Sequence, residues 1–303
     1  MKDLTFMSHG VRCAAWHIPA KSNALVNAAG RPCIIMASGF GGTRDTGLLD
    51  FAKPFAEAGI DAFVFDYRGF GASEGTLRQN VSYMHQREDY IAAIDAVRKL
   101  QDVDPNRIAL WGTSYSGGHI VAVAAQDPRI AAVVSMTPAM DGLAALLQIR
   151  RYAGMSPLIR AVAHGLRDLG CKLTGHTPHL IPIVGQPGST AMISTPGAEA
   201  GYIAVSGETW RNEVCARTAL EVVYNRPITF ATRIKCPMLV QVGTHDQVAP
   251  PNSARQTAKL AGAYAQLIEY PVDHFDVYAG QWQQTLLNDQ IIFLTKNLKP
   301  KAK

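Results

Sequence analysis

The sequence predicts an α/β fold with a mostly parallel central sheet flanked by helices. Three observations carry that expectation. Short apolar runs alternate with stretches of helical periodicity through most of the 303 residues, the pattern of βαβ units. One run, Cys33–Ala37, opens directly into a glycine-rich loop, Ser38-Gly-Phe-Gly-Gly-Thr-Arg44. Another, Arg107–Trp111, passes without a break into Gly112-Thr-Ser114 and then into a segment of small residues.

The elements follow in order. Leu4–Met7 and Val11–Ile18 flank Ser8-His9-Gly10 and read as an antiparallel hairpin. After the strand Cys33–Ala37 comes a helix near Leu48–Ala58, stopped by Gly59. Ala62–Phe65 is a strand leading into Asp66-Tyr-Arg-Gly-Phe-Gly-Ala-Ser-Glu-Gly75. Glu88–Leu100 has helical spacing through Ile91, Ile94, Ala96 and Val97. Arg107–Trp111 is a strand, Ser116–Ala125 a helix and Ile130–Ser135 a strand. Pro237–Val242, Ser253–Gly262, Ala265–Tyr270 and Trp282–Leu298 continue as strand, helix, strand and helix.

Between Asp141 and Thr232 the rhythm breaks. Helical patches at Leu143–Tyr152 and Pro157–Leu169 precede a Pro-, Gly-, His- and Thr-rich middle, Thr174–Gly201. So long a structureless loop does not suit a compact domain. The expectation is a core of residues 1–140 and 233–303 carrying a folded cap, 141–232. Within it Leu143, Leu146, Leu147, Ile149, Met155, Leu158 and Ile159 are candidates for apolar walls.

Composition excludes several classes. The chain is 48% hydrophobic and 17% charged, which is globular rather than disordered. A net charge of +5 is mild, and its densest stretch, Lys296–Lys303, reads as a solvated tail. Nucleic acid and membrane are therefore not expected partners. Five widely spaced cysteines without a CxxC pair suit a reducing compartment. The N-terminus lacks the apolar core of a signal peptide. A cytoplasmic protein is expected, with homo-oligomerisation left open.

The strand–turn–helix at Gly112-x-Ser114 is the setting of a nucleophile elbow. A serine must stand clear of the backbone there, and small neighbours let strand and helix approach. The last glycine of G-x-S-x-G is Ser116, so a rival register with Ser116 as nucleophile exists. Strand length favours Ser114, which lies just past the strand.

These residues resemble the α/β-hydrolase superfamily over nearly the whole chain outside 141–232. Gly112-Thr-Ser-Tyr-Ser-Gly117 is similar to the G-x-S-Y-x-G elbow of the X-Pro dipeptidyl-peptidase and cocaine-esterase branch. Asp66–Ser73 and His274-Phe-Asp-Val-Tyr278 look like dienelactone-hydrolase-type enzymes. The chain departs from the peptidase branch in ending one helix beyond His274, without a jelly-roll domain. It also has Phe40 where that branch offers a tyrosine hydroxyl to the oxyanion.

In this fold the acid and base follow the serine in that order. Asp246, after the strand ending at Val242, and His274, after Ala265–Tyr270, fill those places. His274 is the expected general base and Asp246 its orienting carboxylate. His245, Asp273 and Asp141 are the competing positions. The backbone N–H groups of Phe40 and Tyr115 are the expected oxyanion hole. His176-Thr-Pro-His179 lacks the further ligands of a metal site, and Arg44 and Arg68 read as structural partners of Asp66 or Asp45. No cofactor and no metal are expected.

The reading is a serine hydrolase acting on a small acyl substrate, a carboxylic ester or thioester. Amidase or peptidase, polyketide-type thiohydrolase and carbon–carbon hydrolase chemistry would use the same residues. A non-catalytic binding protein on this fold would be expected to have lost one of the three.

Overall fold

In the computed structural model, which describes residues 1–300, the apolar runs assemble into one eight-stranded sheet. In chain order the elements begin β1 (Lys2–Ser8), β2 (Val11–Ile18), β3 (Arg31–Ala37), α1 (Leu49–Glu57), β4 (Asp61–Phe65) and α2 (Tyr83–Val97). Next come β5 (Val103–Thr113), α3 (Ser114–Ala124) and β6 (Ile130–Met136). Between β6 and the next strand of the sheet lie α4 (Gly142–Ala153), α5 (Ser156–Leu173), β7 (Leu180–Ile181), α6 (Ala198–Val205), β8 (Val214–Cys215) and α7 (Thr218–Glu221). The chain then returns through β9 (Met238–Gly243), α8 (Pro251–Ala261), β10 (Ala265–Tyr270) and α9 (Gly280–Asn297).

The strand order is β1-β2-β4-β3-β5-β6-β9-β10. The β1–β2 and β2–β4 pairings are antiparallel and the rest are parallel. His9 and Gly10 join the hairpin with φ of 46° and 79°, the backbone of a type I′ turn, whose twist suits the flanking strands. The chain runs from β3 to β4 on one side and then crosses to β5 on the other. That reversal makes a crevice at the carboxyl ends of β3 and β5, where open α/β sheets bind ligands.

The sheet is buried on both faces, which explains runs such as Cys-Ile-Ile-Met-Ala with no polar alternation. Cys33, Ile35, Ala37, Ile108 and Leu110 face a core that includes Tyr90 and Ile94 of α2 and Ile120 and Val121 of α3. Ile34, Met36, Ala109 and Trp111 face the other core, with Phe51 and Phe55 of α1 and Leu286 and Leu294 of α9. Each large side chain sealed there contributes roughly 1.5–3 kcal/mol. One polar chain crosses the second core. Trp111 Nε1 donates to Gln290 Oε1 at 3.0 Å, and Gln290 Nε2 donates to Gln241 Oε1 at 2.6 Å.

Most elements lie within a few residues of expectation, and the departures have causes. Helix α2 begins at Tyr83 rather than Glu88, with the extended Ser82 before it. Its first turn exposes Met84 and His85 and so carries no apolar periodicity. Strand β5 extends to Thr113, and α3 begins at Ser114 itself. The basic run at the C-terminus is not all tail: Lys296 lies in α9 and Leu298 is fully buried. Its last three residues, Lys301 to Lys303, lie outside the described residues. No helix among the described residues is long and apolar enough to cross a membrane.

Candidate active site

The site begins where β5 turns into α3 with no residue between them. Ser114 takes a φ of 54°, a left-handed conformation that costs a non-glycine residue of order 1–3 kcal/mol. The turn closes only around small neighbours. A Cβ on Gly112 would lie 2.5 Å from the Ser116 carbonyl oxygen, and one on Gly39 would lie 2.9 Å from Ser114 Cβ. Sheet register does the rest. Ala37 pairs with Gly112, so the loop after β3 runs beside the elbow.

A parallel pairing assembles the other half. Gly243 of β9 pairs with Tyr270 of β10, and the two following loops stay bonded through Thr244 N–H to Tyr270 O and His245 N–H to Val272 O. Asp246 and His274 thereby meet, with Asp246 Oδ2 accepting from His274 Nδ1 at 2.7 Å. Both are buried, at 5% and 3% exposure. The other oxygen, Asp246 Oδ1, accepts the N–H groups of Val248 at 2.8 Å and Ala249 at 2.7 Å. A carboxylate so anchored fixes the ring, and with Nδ1 donating, Nε2 is the nitrogen free to take a proton.

Ser114 and His274 line one small enclosure together with Phe40, Phe275 and Tyr278. No direct hydrogen bond joins Ser114 and His274 among the described residues. Such contacts commonly tighten only around a bound substrate. Tyr278, whose hydroxyl bonds Thr113 Oγ1 at 2.6 Å, and Phe275, whose ring meets the imidazole edge-on at 5.0 Å, fill the flank.

The competing positions are otherwise engaged. Ser116 is fully buried, and its hydroxyl bonds Tyr67 Oη at 2.5 Å and donates to the Ser38 carbonyl. Asp273 accepts the N–H groups of His274 and Gln247, turning its carboxylate away from the ring. Asp141 caps α4 through Leu143 N–H and pairs with Arg226 at 2.9 Å. His245 is exposed.

Phe40 and Tyr115 face each other, their rings edge to face at 5.4 Å. The Tyr115 N–H lies in the first turn of α3, where amides have no intrahelical acceptor. The Phe40 N–H has no protein acceptor among the described residues. The loop bearing it is pinned at two carbonyls, Ser38 by the Ser116 hydroxyl and Phe40 by Tyr202 Oη at 2.8 Å. Neither pin was visible in the sequence, where Ser116 stood only as a rival nucleophile and Tyr202 carried no signal.

A cavity of about 150 Å³ extends from Ser114 under the insertion. Leu146, Ile149 and Leu158 line it as expected, joined by Tyr152, Met192 and Ile193. Leu143, Leu147, Met155 and Ile159 do not; they are exposed on α4, on α5 and, for Met155, just before α5. Both helices are apolar on more than one face, so periodicity alone could not choose the inward one. Arg68 is also corrected: it pairs with Asp89 at 2.6 Å and Glu88 at 3.1 Å. Arg44 does pair with Asp66, at 3.3 Å, and burial pushes the Asp66 carboxyl up to about 6 against the N–H groups of Arg44 and Ala72. His176 and His179 take different partners, Thr174 Oγ1 and His164 Nδ1, each at 2.8 Å. No cluster of three or more metal-ligating side chains occurs among the described residues.

This geometry can be set beside known proteins. A family model described as serine aminopeptidase, S33, matches residues 29–272. The chain belongs to that family of α/β-hydrolases. The quorum-quenching protein AidA of Acinetobacter baumannii is 36% identical over 97% of this chain and 94% of the relative. A thiohydrolase of Aspergillus aculeatus, aneE, is 29% identical over 61% of this chain and 55% of the relative. Among solved structures, the α/β-hydrolase GrgF of a Penicillium species superposes with a TM-score of 0.81 at 24% identity, covering 98% of both chains. DcsB, solved with a substrate analogue, gives 0.80 at 21% identity over 98% of this chain and 99% of that one. The protein is an enzyme of the hydrolase class, and its structural neighbours share the α/β-hydrolase fold.

Proposed function

We propose that the protein is a serine hydrolase cleaving a carboxylic ester or thioester of a small acyl substrate through an acyl-enzyme intermediate. The observation that carries this reading is the buried 2.7 Å His274–Asp246 pair, sharing an enclosure with a serine in a left-handed elbow. His274 Nε2 takes the Ser114 proton as Oγ attacks the carbonyl carbon. The oxyanion develops against the Phe40 and Tyr115 N–H groups, each of which is worth about 2.7–4 kcal/mol in such sites. The proton then passes from His274 to the leaving alcohol or thiol. Water, deprotonated by the same nitrogen, releases the acid and restores Ser114.

Residues 1–140 and 233–303 act as the core in this reading, and 141–232 as a cap over the acyl cavity. No cofactor or metal enters the scheme, and a small molecule is the only partner it needs. Relatives named a quorum-quenching protein and a thiohydrolase support acyl cleavage over peptide cleavage. A second reading, acyl transfer, is favoured by a relative named polyketide transferase grgF, 32% identical over 59% of this chain. There an alcohol replaces water in the second half-reaction.

The test is labelling with a fluorophosphonate, with the modified residue mapped by mass spectrometry. Label on Ser114, lost in His274→Ala, is the expected result. Ser114→Ala should lower kcat on aryl esters by on the order of 10⁴ or more with the fold intact. Label on Ser116, or on no serine while esters are still turned over, would overturn the assignment.

A further inference from the structure

The mild net charge of +5 is not evenly spread, and an average over the chain hides this. Residues 142–198 hold five cations, Arg150, Arg151, Arg160, Arg167 and Lys172, and one carboxylate, Asp168. Asp168 is fully buried and paired with Arg217, so the surface of this stretch carries basic groups and no acidic one. None of the five cations forms an ion pair among the described residues. The guanidinium of Arg160 bonds only neutral acceptors, Ser156 Oγ at 3.0 Å and Gly188 O at 3.1 Å.

The same stretch exposes an apolar face. In α5, Leu158 and Gly165 turn inward: the first lines the cavity, and a Cβ on the second would lie 2.8 Å from Leu220 Cγ. Together with Asp168 they fix the buried side of the helix. Met155, Ile159, Val162, Leu166, Leu169 and Leu173 recur at alternating intervals of four and three, which places them side by side on a second face. Exposure reaches 62% at Ile159, 56% at Leu166 and 78% at Leu173. At 1.5 Å per residue the stripe is about 27 Å long. Tyr152, which lines the cavity and is half exposed, stands three residues before its first member, so the stripe starts at the edge of the cavity wall.

Water is a poor neighbour for a continuous aliphatic face of this length, and such faces mark contact sites. A second copy of the chain would set the same five cations against themselves with no carboxylate to meet them. A protein partner would be gripped through aromatic anchors, whereas the stripe holds none. An anionic bilayer meets both halves of the pattern, its acyl chains taking the aliphatic side chains and its headgroup phosphates the basic ones. We propose that α5 lies in the headgroup layer of an anionic membrane and docks the protein there by the Met155–Leu173 face without spanning the bilayer. Each basic residue near such a surface contributes about fivefold to the affinity. Docking of this kind is independent of the reaction assigned to Ser114.

Co-sedimentation of the full chain with vesicles tests this, using phosphatidylcholine alone and phosphatidylcholine with about one third phosphatidylglycerol. The protein should bind the anionic vesicles about tenfold or more tighter than the neutral ones, and added salt should weaken that binding. Ile159→Gln combined with Leu166→Gln should lower the affinity for anionic vesicles by about tenfold or more. Its melting temperature should stay at the wild-type value, because both side chains already face water. Arg150→Glu combined with Arg151→Glu should remove most of the preference for anionic lipid. No binding to anionic vesicles at low salt would leave the stripe to a protein and overturn the proposal. Undiminished binding by the Ile159→Gln, Leu166→Gln protein would overturn it too, since charge alone would then hold the protein to the surface. A wild-type dimer in sedimentation equilibrium that the same pair of substitutions dissociates would assign the stripe to a second copy, with the same consequence.

Discussion

Strand β3 buries every side chain after its first residue, and β5 buries every residue from Arg107 to Thr113. Helix α4 buries only Gly142, and α5 only Gly165 and Asp168. The turn at Ser114, the loop bearing Phe40 and the His274–Asp246 pair all stand on the densely packed region. The cavity beside Ser114 is roofed by the sparsely packed one. The proposed chemistry, which must hold reacting atoms within a few tenths of an ångström, is thereby set on sheet register. In the proposed reaction, selection of the acyl group falls to helices that few buried contacts restrain, the kind of region that opens locally at low cost.

The largest effect should come from breaking the anchor of α5. Asp168 is fully buried and accepts from Arg217 Nε at 2.6 Å, Arg217 N at 2.9 Å and His179 N at 2.8 Å. Burial works against its charge, but the Arg217 bonds hold the carboxyl below its ordinary range. Asp168→Ala leaves the Arg217 charge without a partner and should destabilise the cap by about 3–5 kcal/mol. Hydrogen exchange should show α5 amides losing protection while β5 and α3 keep theirs. Loss of protection throughout the chain would mean that the two regions fold as one unit.

The converse experiment strikes the sheet. Gly112→Ala puts a methyl 2.5 Å from a backbone carbonyl that α3 cannot move without displacing Ser114. Overpacking of this kind costs about 1–3 kcal/mol. Denaturant titration should record that loss together with loss of fluorophosphonate labelling, while α5 exchange is unaffected.

The smallest effect is a titration. Burial, with Arg167 and His164 close by, holds His179 below the ordinary imidazole value. A base whose pKa is depressed in the folded state contributes stability above its unfolded value, about 6.5. That contribution is lost as pH falls through the depressed value. Acidification from pH 7 to 5 should therefore loosen α5 and the segment around β7 before the sheet. Exchange rates of α5 amides that do not rise more than those of α3 would count against this linkage.

Legibility in the sequence follows the same division. Two-sided burial writes the sheet as unbroken apolar runs, and the elbow needs Gly112 and a small-residue helix start, so both were readable. His274 and Asp246 could be placed because each follows a strand whose end was clear. The inward faces of α4 and α5 could not be read, because Leu143 and Leu147 are as apolar as Leu146 and Ile149. Arg68 was assigned by nearness in sequence, whereas its partners come from α2, a helix whose first turn carries no periodic signal.

The two ends of the segment 141–232 meet. Asp141 at its start grips Arg226 at its end, and one step inward Gly142 N–H bonds Asn225 O at 2.9 Å. To the sheet, everything between is a loop already closed across a hydrogen bond and an ion pair. The entropy of closing such a loop grows only logarithmically with its length, each doubling costing about 0.6 kcal/mol. The clasp thus insulates β6 and β9 from whatever is threaded between them, and descendants of this chain can lengthen, shorten or rewrite the roof without renegotiating the floor.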